Sequence, residues 1–181
     1  MKRIENLFEI IDKENIIYEE RNLERLGSKG IYIKLDGINP FIAIDSSIVN
    51  NKNTYISILA EELGHHFTTC GNLLAHSKCY MDNLIKDKKE NIARKWAANY
   101  LISDEEFVQA LISCITNYFD MCEHFNVTYE LLNSKINSIL SDEKKYNEIK
   151  EKFKLYEVQF NACNIWYILN LLNPFIYIES I

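Results

Sequence analysis

The three strand-type runs read in this chain fall within its first 45 residues, and the region from Tyr55 to about Leu172 is patterned for helix. Ile4, Leu7, Phe8 and Ile11 fall at i, i+3, i+4 and i+7 and mark an amphipathic first helix. Three short β-type runs come next: Ile16-Ile17-Tyr18, Gly30-Ile31-Tyr32-Ile33 and Phe41-Ile42-Ala43-Ile44. Asp36-Gly37-Ile38-Asn39-Pro40 carries turn chemistry between the last two, which predicts a hairpin. From Tyr55 to about Leu172 there is no comparable strand signal, and helices are expected at 54–68, 82–102, 105–124, 128–140 and 143–172. Strands followed by helices is the order of an α+β fold, here a small antiparallel sheet followed by a mostly helical C-terminal region.

Composition narrows the class. A chain of 181 residues with 48% hydrophobic side chains suits about one domain with a real core. Its 20 basic against 26 acidic residues leave a net charge of −6, so no direct nucleic-acid partner is expected. Glu5, Glu9 and Asp12 interrupt the apolar run that a signal peptide would need, and the expected location is cytoplasmic. The five cysteines (Cys70, Cys79, Cys114, Cys122 and Cys163) contain no C-x-x-C pair and are then read as reduced. Between Glu157 and Glu179 no charged residue occurs, a length that alone would suit a membrane span. Gln159, Asn161, Asn164, Asn170 and Asn173 lie within it and Pro174 near its end, which favours a buried or partner-facing helix over 158–178.

The stretch that carries chemistry is Ala60-Glu61-Glu62-Leu63-Gly64-His65-His66. In H-E-x-x-H two ligands at i and i+4 share a helix face, and the Glu beside the first is the general base. Glu61 here takes the first ligand position, Glu62 the base position and His65 the second ligand position. The alternative register, Glu62 with His66, would put Leu63 where the base belongs. At about 100° per residue, Glu61 and His65 lie about 40° apart, roughly opposite a stripe of Ile56, Leu59, Ala60, Leu63 and Phe67. Gly64 permits close approach of a neighbouring element. Glu90 is the candidate third ligand, because it extends the apolar stripe of Ala93, Ala97 and Leu101 in the next helix. A carboxylate on a buried face wants a cation. The plainer role for Glu90 is an i+4 pair with Arg94.

These motifs carry a resemblance. AEELGHH, followed by Glu90-Asn91-Ile92-Ala93 with Trp96-Ala97 and Tyr100-Leu101-Ile102, resembles the ImmA/IrrE family of zinc metallopeptidases. The hairpin GIYIKLDGINPFIAID before the motif helix fits that family's order of elements, and Phe125-Asn126-Val127-Thr128 is similar to its helix-turn-helix-like tail. The resemblance covers roughly residues 1–140. It implies a zincin-like metallopeptidase domain over 1–103, its small sheet packed on the motif helix. A helix-turn-helix-like region over 104–141 would come after it, and the helical tail expected over 142–181 has no counterpart in the resemblance and no assigned role. The implied activity is a cytosolic metal-dependent endopeptidase that cleaves a helix-turn-helix transcriptional repressor, often on a mobile element. Carried over position by position, Glu61, His65 and Glu90 would bind Zn2+, and Glu62 would be the catalytic base.

One departure from the pattern matters. Glu61 replaces the usual first His, so the donor set is harder and more anionic, which favours Mn2+ or Fe2+ as alternative occupants. The same replacement supports a second reading, a catalytically inactive zincin-like regulator that binds a repressor without cleaving it. Ser103 stands where the family often has a helix-ending Pro. His66 reads as a supporting or surface residue, and Tyr80, Tyr100 and His66 are the candidates for stabilising an oxyanion. A rival structural site joining His65 or His66 with Cys70, His76 and Cys79 fits no standard zinc spacing. The segment Tyr129–Leu140 holds only Glu130 and Lys135 as charges, so a packing role is expected in place of DNA binding.

Overall fold

A computed structural model describes residues 2–68 and 80–155. The chain runs α1 (Lys2–Lys13), β1 (Ile17–Arg21), β2 (Gly30–Ile33), β3 (Phe41–Asp45), α2 (Lys52–Thr68), α3 (Tyr80–Leu101), α4 (Asp104–Ile112), α5 (Tyr118–Phe125), α6 (Tyr129–Leu140) and α7 (Glu143–Leu155). The protein is α+β and mostly helical, as its order of elements predicts. Cys70, His76, Cys79, Cys163 and the charge-free stretch 158–178 lie outside the described residues.

The predicted hairpin is present: β2 runs antiparallel to β3, with Gly30 opposite Ile44 and Ile33 opposite Phe41. The sheet as a whole is mixed and not antiparallel, because β1 lies parallel to β3 on its other side, giving the order β1-β3-β2. β3 takes the centre because Ile42, Ala43 and Ile44 are all buried. β1 ends in Glu19-Glu20-Arg21, a polar stretch that an edge strand can carry. Asp45 pins the crossover, its carboxylate accepting from Leu23 N at 2.6 Å and Ser47 N at 2.8 Å.

The single helix expected at 105–124 is two. Cys114 takes a left-handed φ of 59° after α4, and Asn117 caps α5 by accepting from Asp120 N at 2.8 Å. A capped restart of this kind competes with continued helix, and the apolar period alone does not reveal it. Ser103 opens α4 with a reciprocal capping box: its Oγ accepts from Glu106 N while Glu106 Oε2 accepts from Ser103 N, each at 3.1 Å. Cys114 is disulfide-bonded and Cys122 is free, which corrects the expectation that every thiol is reduced. Among the described residues no helix is long and apolar enough to cross a membrane.

One apolar cluster links α1, the sheet and all the later helices, from Leu7 and Ile44 through Leu63 and Leu101 to Phe125 and Ile149. A buried cation sits within it. Lys135 of α6 is 1% exposed, and its Nζ donates to Asp104 Oδ1 at 2.5 Å and to Asn99 Oδ1 at 3.0 Å. Lys145 of α7 reaches the same two acceptors at 3.1 and 3.2 Å. The network therefore ties α3, α4, α6 and α7 together. It also leaves α6 with no basic side chain facing solvent, since Lys135 is its only one.

The two ends of the pair titrate differently. Burial would raise the Asp104 carboxyl, but the hydrogen bonds and charges of Lys135 and Lys145 outweigh it and hold it below the ordinary value. Burial depresses Lys135, and Asp104 only partly offsets this. A carboxyl lowered in the native state contributes stability that is full above the ordinary aspartate value of 3.8 and lost as pH falls through the folded value. Asp104→Asn should therefore flatten the acid limb of the stability profile. At pH 7 it should cost roughly 3 kcal/mol, because a buried ammonium loses its counter-charge. Denaturant melts between pH 2 and 7 check both; an unchanged acid limb would count against the pairing.

Candidate metal centre

The site is built on α2 and α3. Asn51 caps α2, its Oδ1 accepting from Thr54 N at 3.1 Å, and Thr68 Oγ1 donates back to Gly64 O at 2.6 Å near the other end. Ile56, Leu59, Ala60 and Leu63 are buried as the stripe predicts. Phe67, expected on that stripe, is instead 44% exposed and stacks on Trp96 at 4.9 Å.

Gly64 sets the distance between the helices. A Cβ at this position would lie 2.3 Å from Ala93 O, so α3 backbone occupies the space that any side chain would need. With Ala93 and Ala97 fully buried at the crossing, the close approach brings His65 of α2 against Glu90 of α3. His65 Nε2 donates to Glu90 Oε2 at 3.2 Å, and the imidazole is 6% exposed. That hydrogen bond holds the Glu90 carboxyl below its ordinary value, while burial opposes it.

Glu61 is turned differently. Its Oε2 lies 3.3 Å from Arg94 Nε, with 14% of its side chain exposed. Arg94 Nε itself is buried with no acceptor in line, while the charge and the hydrogen bonding of the guanidinium both act on Glu61. Burial raises the Glu61 carboxyl, Arg94 pulls it back, and the charge of Glu90 raises it further. The i+4 pair of Glu90 with Arg94 is thus replaced by two pairs across the helices, His65 with Glu90 and Glu61 with Arg94. Among the described residues no three His, Cys, Asp or Glu side chains form a ready cage.

Glu62 points elsewhere and is the most deeply buried acid of the motif. It lies against the edge strand β2, where a Cβ on Gly30 would come within 2.5 Å of Glu62 Oε1. Burial first, then the charges of Glu90 and Glu61, push its carboxyl up to about 8. A buried acid beside two other carboxylates marks a pocket short of positive charge. In donor type the set fits a divalent metal: two carboxylates and an imidazole are oxygen and nitrogen ligands that suit zinc, manganese or iron.

His66 is occupied elsewhere. Its Nδ1 is 3.0 Å from Tyr32 Oη on β2 and its Nε2 is 3.5 Å from Glu14 Oε2, so it ties α2 to the sheet and to the end of α1. Tyr100 stacks on Trp96 with ring centroids 5.2 Å apart. The side chain of Tyr80 lies outside the described residues. Arg94, Gly30 and Tyr32 are not legible as site residues in the sequence, because each acts on the motif from another element. No protein-family model matches this chain, and no curated protein or solved structure matches it.

Gly64→Ala separates packing from propensity. Helix propensity alone would stabilise α2 by about 1 kcal/mol. The clash with Ala93 backbone should reverse the sign and destabilise by roughly 1–3 kcal/mol. A higher melting temperature in the variant would show that α2 and α3 are not in this contact.

Proposed function

We propose that this chain is a zincin-like metal-dependent endopeptidase of the ImmA/IrrE kind, which cleaves a helix-turn-helix transcriptional repressor of a mobile element in the cytoplasm. The observation that carries the reading is the buried Glu62 on α2 next to the His65–Glu90 pair that joins α2 to α3. Glu61, His65 and Glu90 would hold the metal. When bound, a divalent ion supplies Lewis acidity toward a peptide carbonyl and toward water.

The chain's own residues do the rest. The Glu62 carboxylate takes a proton from the attacking water and returns it to the leaving amine, the ordinary work of a general base turned acid. Burial raises the basicity of this carboxyl, and a bound cation beside it would draw the value back down, so that the carboxylate form is available to accept the proton. Glu90 orients His65 through the Nε2 contact until metal takes its place. The pairing of Lys135 with Asp104 inside the core supports a packing role for α6 in place of DNA binding.

A second reading rests on a specific observation. Glu61 is paired with Arg94, so the protein has a way to neutralise this carboxylate without metal. That suits a regulator that binds the repressor and leaves it whole.

Two experiments separate the readings. Metal content after gentle purification should be about one ion per chain in the wild type and should fall in both His65→Ala and Glu90→Ala. Retention of the ion in those variants would remove the ligand assignment. Glu62→Gln should slow cleavage of a co-encoded repressor by about 100-fold or more while leaving repressor binding intact. Full regulatory activity in Glu62→Gln would decide for the non-cleaving reading.

A further inference from the structure

The motif residues Glu61, Glu62 and Glu90 act on one another electrostatically near the crossing of α2 and α3, and the Arg94 guanidinium contacts Glu61. Arg94 contacts Glu61 at the position where H-E-x-x-H has a neutral imidazole. A carboxylate there adds a negative charge, and Arg94 supplies a compensating positive one at 3.3 Å. The guanidinium is only partly enclosed. Its Nε has no acceptor in line, and 34% of the side chain is exposed. It also lines an open groove of about 460 Å3 between α3 and α6, with Tyr129, Glu130, Asn133 and Asn137.

We propose that Arg94 is the resident counter-cation of this site: it holds Glu61 while metal is absent, and an incoming divalent ion must displace it, so Arg94 sets the affinity of the site for metal. The inference rests on the metal-site reading above. It assigns Arg94 a positioning role with a definite sign. A fixed positive charge beside a ligand repels a dication and competes for the ligand's electrons, so removing it tightens metal binding. A merely structural Arg94 would do the opposite, because its loss would loosen Glu61.

Calorimetric titration of the full chain with zinc chloride at pH 7 tests this. Arg94→Gln and Arg94→Met should each bind zinc at least about tenfold more tightly than the wild type. Arg94→Lys, which keeps the charge, should stay within about threefold of wild type. If a neutral variant does not fold by itself, excess zinc should restore its fold, because the ion then supplies the missing cation; failure to restore it would overturn the proposal. Unchanged or weaker zinc binding in the folded neutral variants, with the wild type still binding, would overturn the role of Arg94 and leave the metal site standing. Absence of zinc binding in the wild type and the folded variants alike would overturn the metal reading and this inference with it.

Discussion

The contact between Gly64 and the backbone of Ala93 is the constraint on which the site depends. Without a side chain at residue 64, α2 and α3 approach until backbone meets backbone. Only at that separation do His65 and Glu90, one from each helix, come within hydrogen-bond distance. The small residues Ala93 and Ala97 continue the same close seam. The apolar core packs around it, with Ile56, Leu59 and Leu63 of α2 in the same buried cluster as Ile42 and Ile44 of the sheet.

Charge is distributed unevenly along this seam. Three motif carboxylates act on one another electrostatically, and among the described residues His65 contacts Glu90 and Arg94 contacts Glu61. The most buried carboxyl, Glu62, has its proton affinity raised by that burial and by the two carboxylates beside it. On the far side of α3 the same problem is solved differently: Lys135 is fully enclosed but has Asp104 and Asn99 as acceptors. The Lys135 ammonium thus has its own acceptors, whereas burial and two neighbouring carboxylates leave the Glu62 carboxyl with a raised proton affinity. That difference makes the α2–α3 side the place where an added cation would be favoured.

Much of this is legible in the residues. The period of Leu7 and Ile11, the hairpin turn at Asp36-Gly37 and the stripe of Ile56, Leu59 and Leu63 are local signals, and each lies where it predicts. The spacing of Glu90 to Ala93 and Ala97 puts it on the α2-facing side, and it does meet His65. The features that escape a reading of the sequence depend on contacts between distant segments. The parallel pairing of β1 with β3 has no local signature, because strand runs look alike in either direction. Arg94 reads as an i+4 partner of Glu90, since spacing along one helix says nothing about an acceptor on the next. Lys135 reads as an ordinary helix charge, because its acceptors come from α3 and α4. The break at Ser113–Asn117 is hidden by apolar residues on both sides that keep helical spacing.

The central claim is that Glu61, His65 and Glu90 form one metal site across α2 and α3. X-ray absorption at the zinc edge of the zinc-loaded protein tests it most directly. Nitrogen and oxygen neighbours alone at about 2.0–2.1 Å, with the outer signature of a single imidazole, is the expected result. Sulfur at about 2.3 Å would contradict it, because the ion would then sit on cysteine and not on the motif.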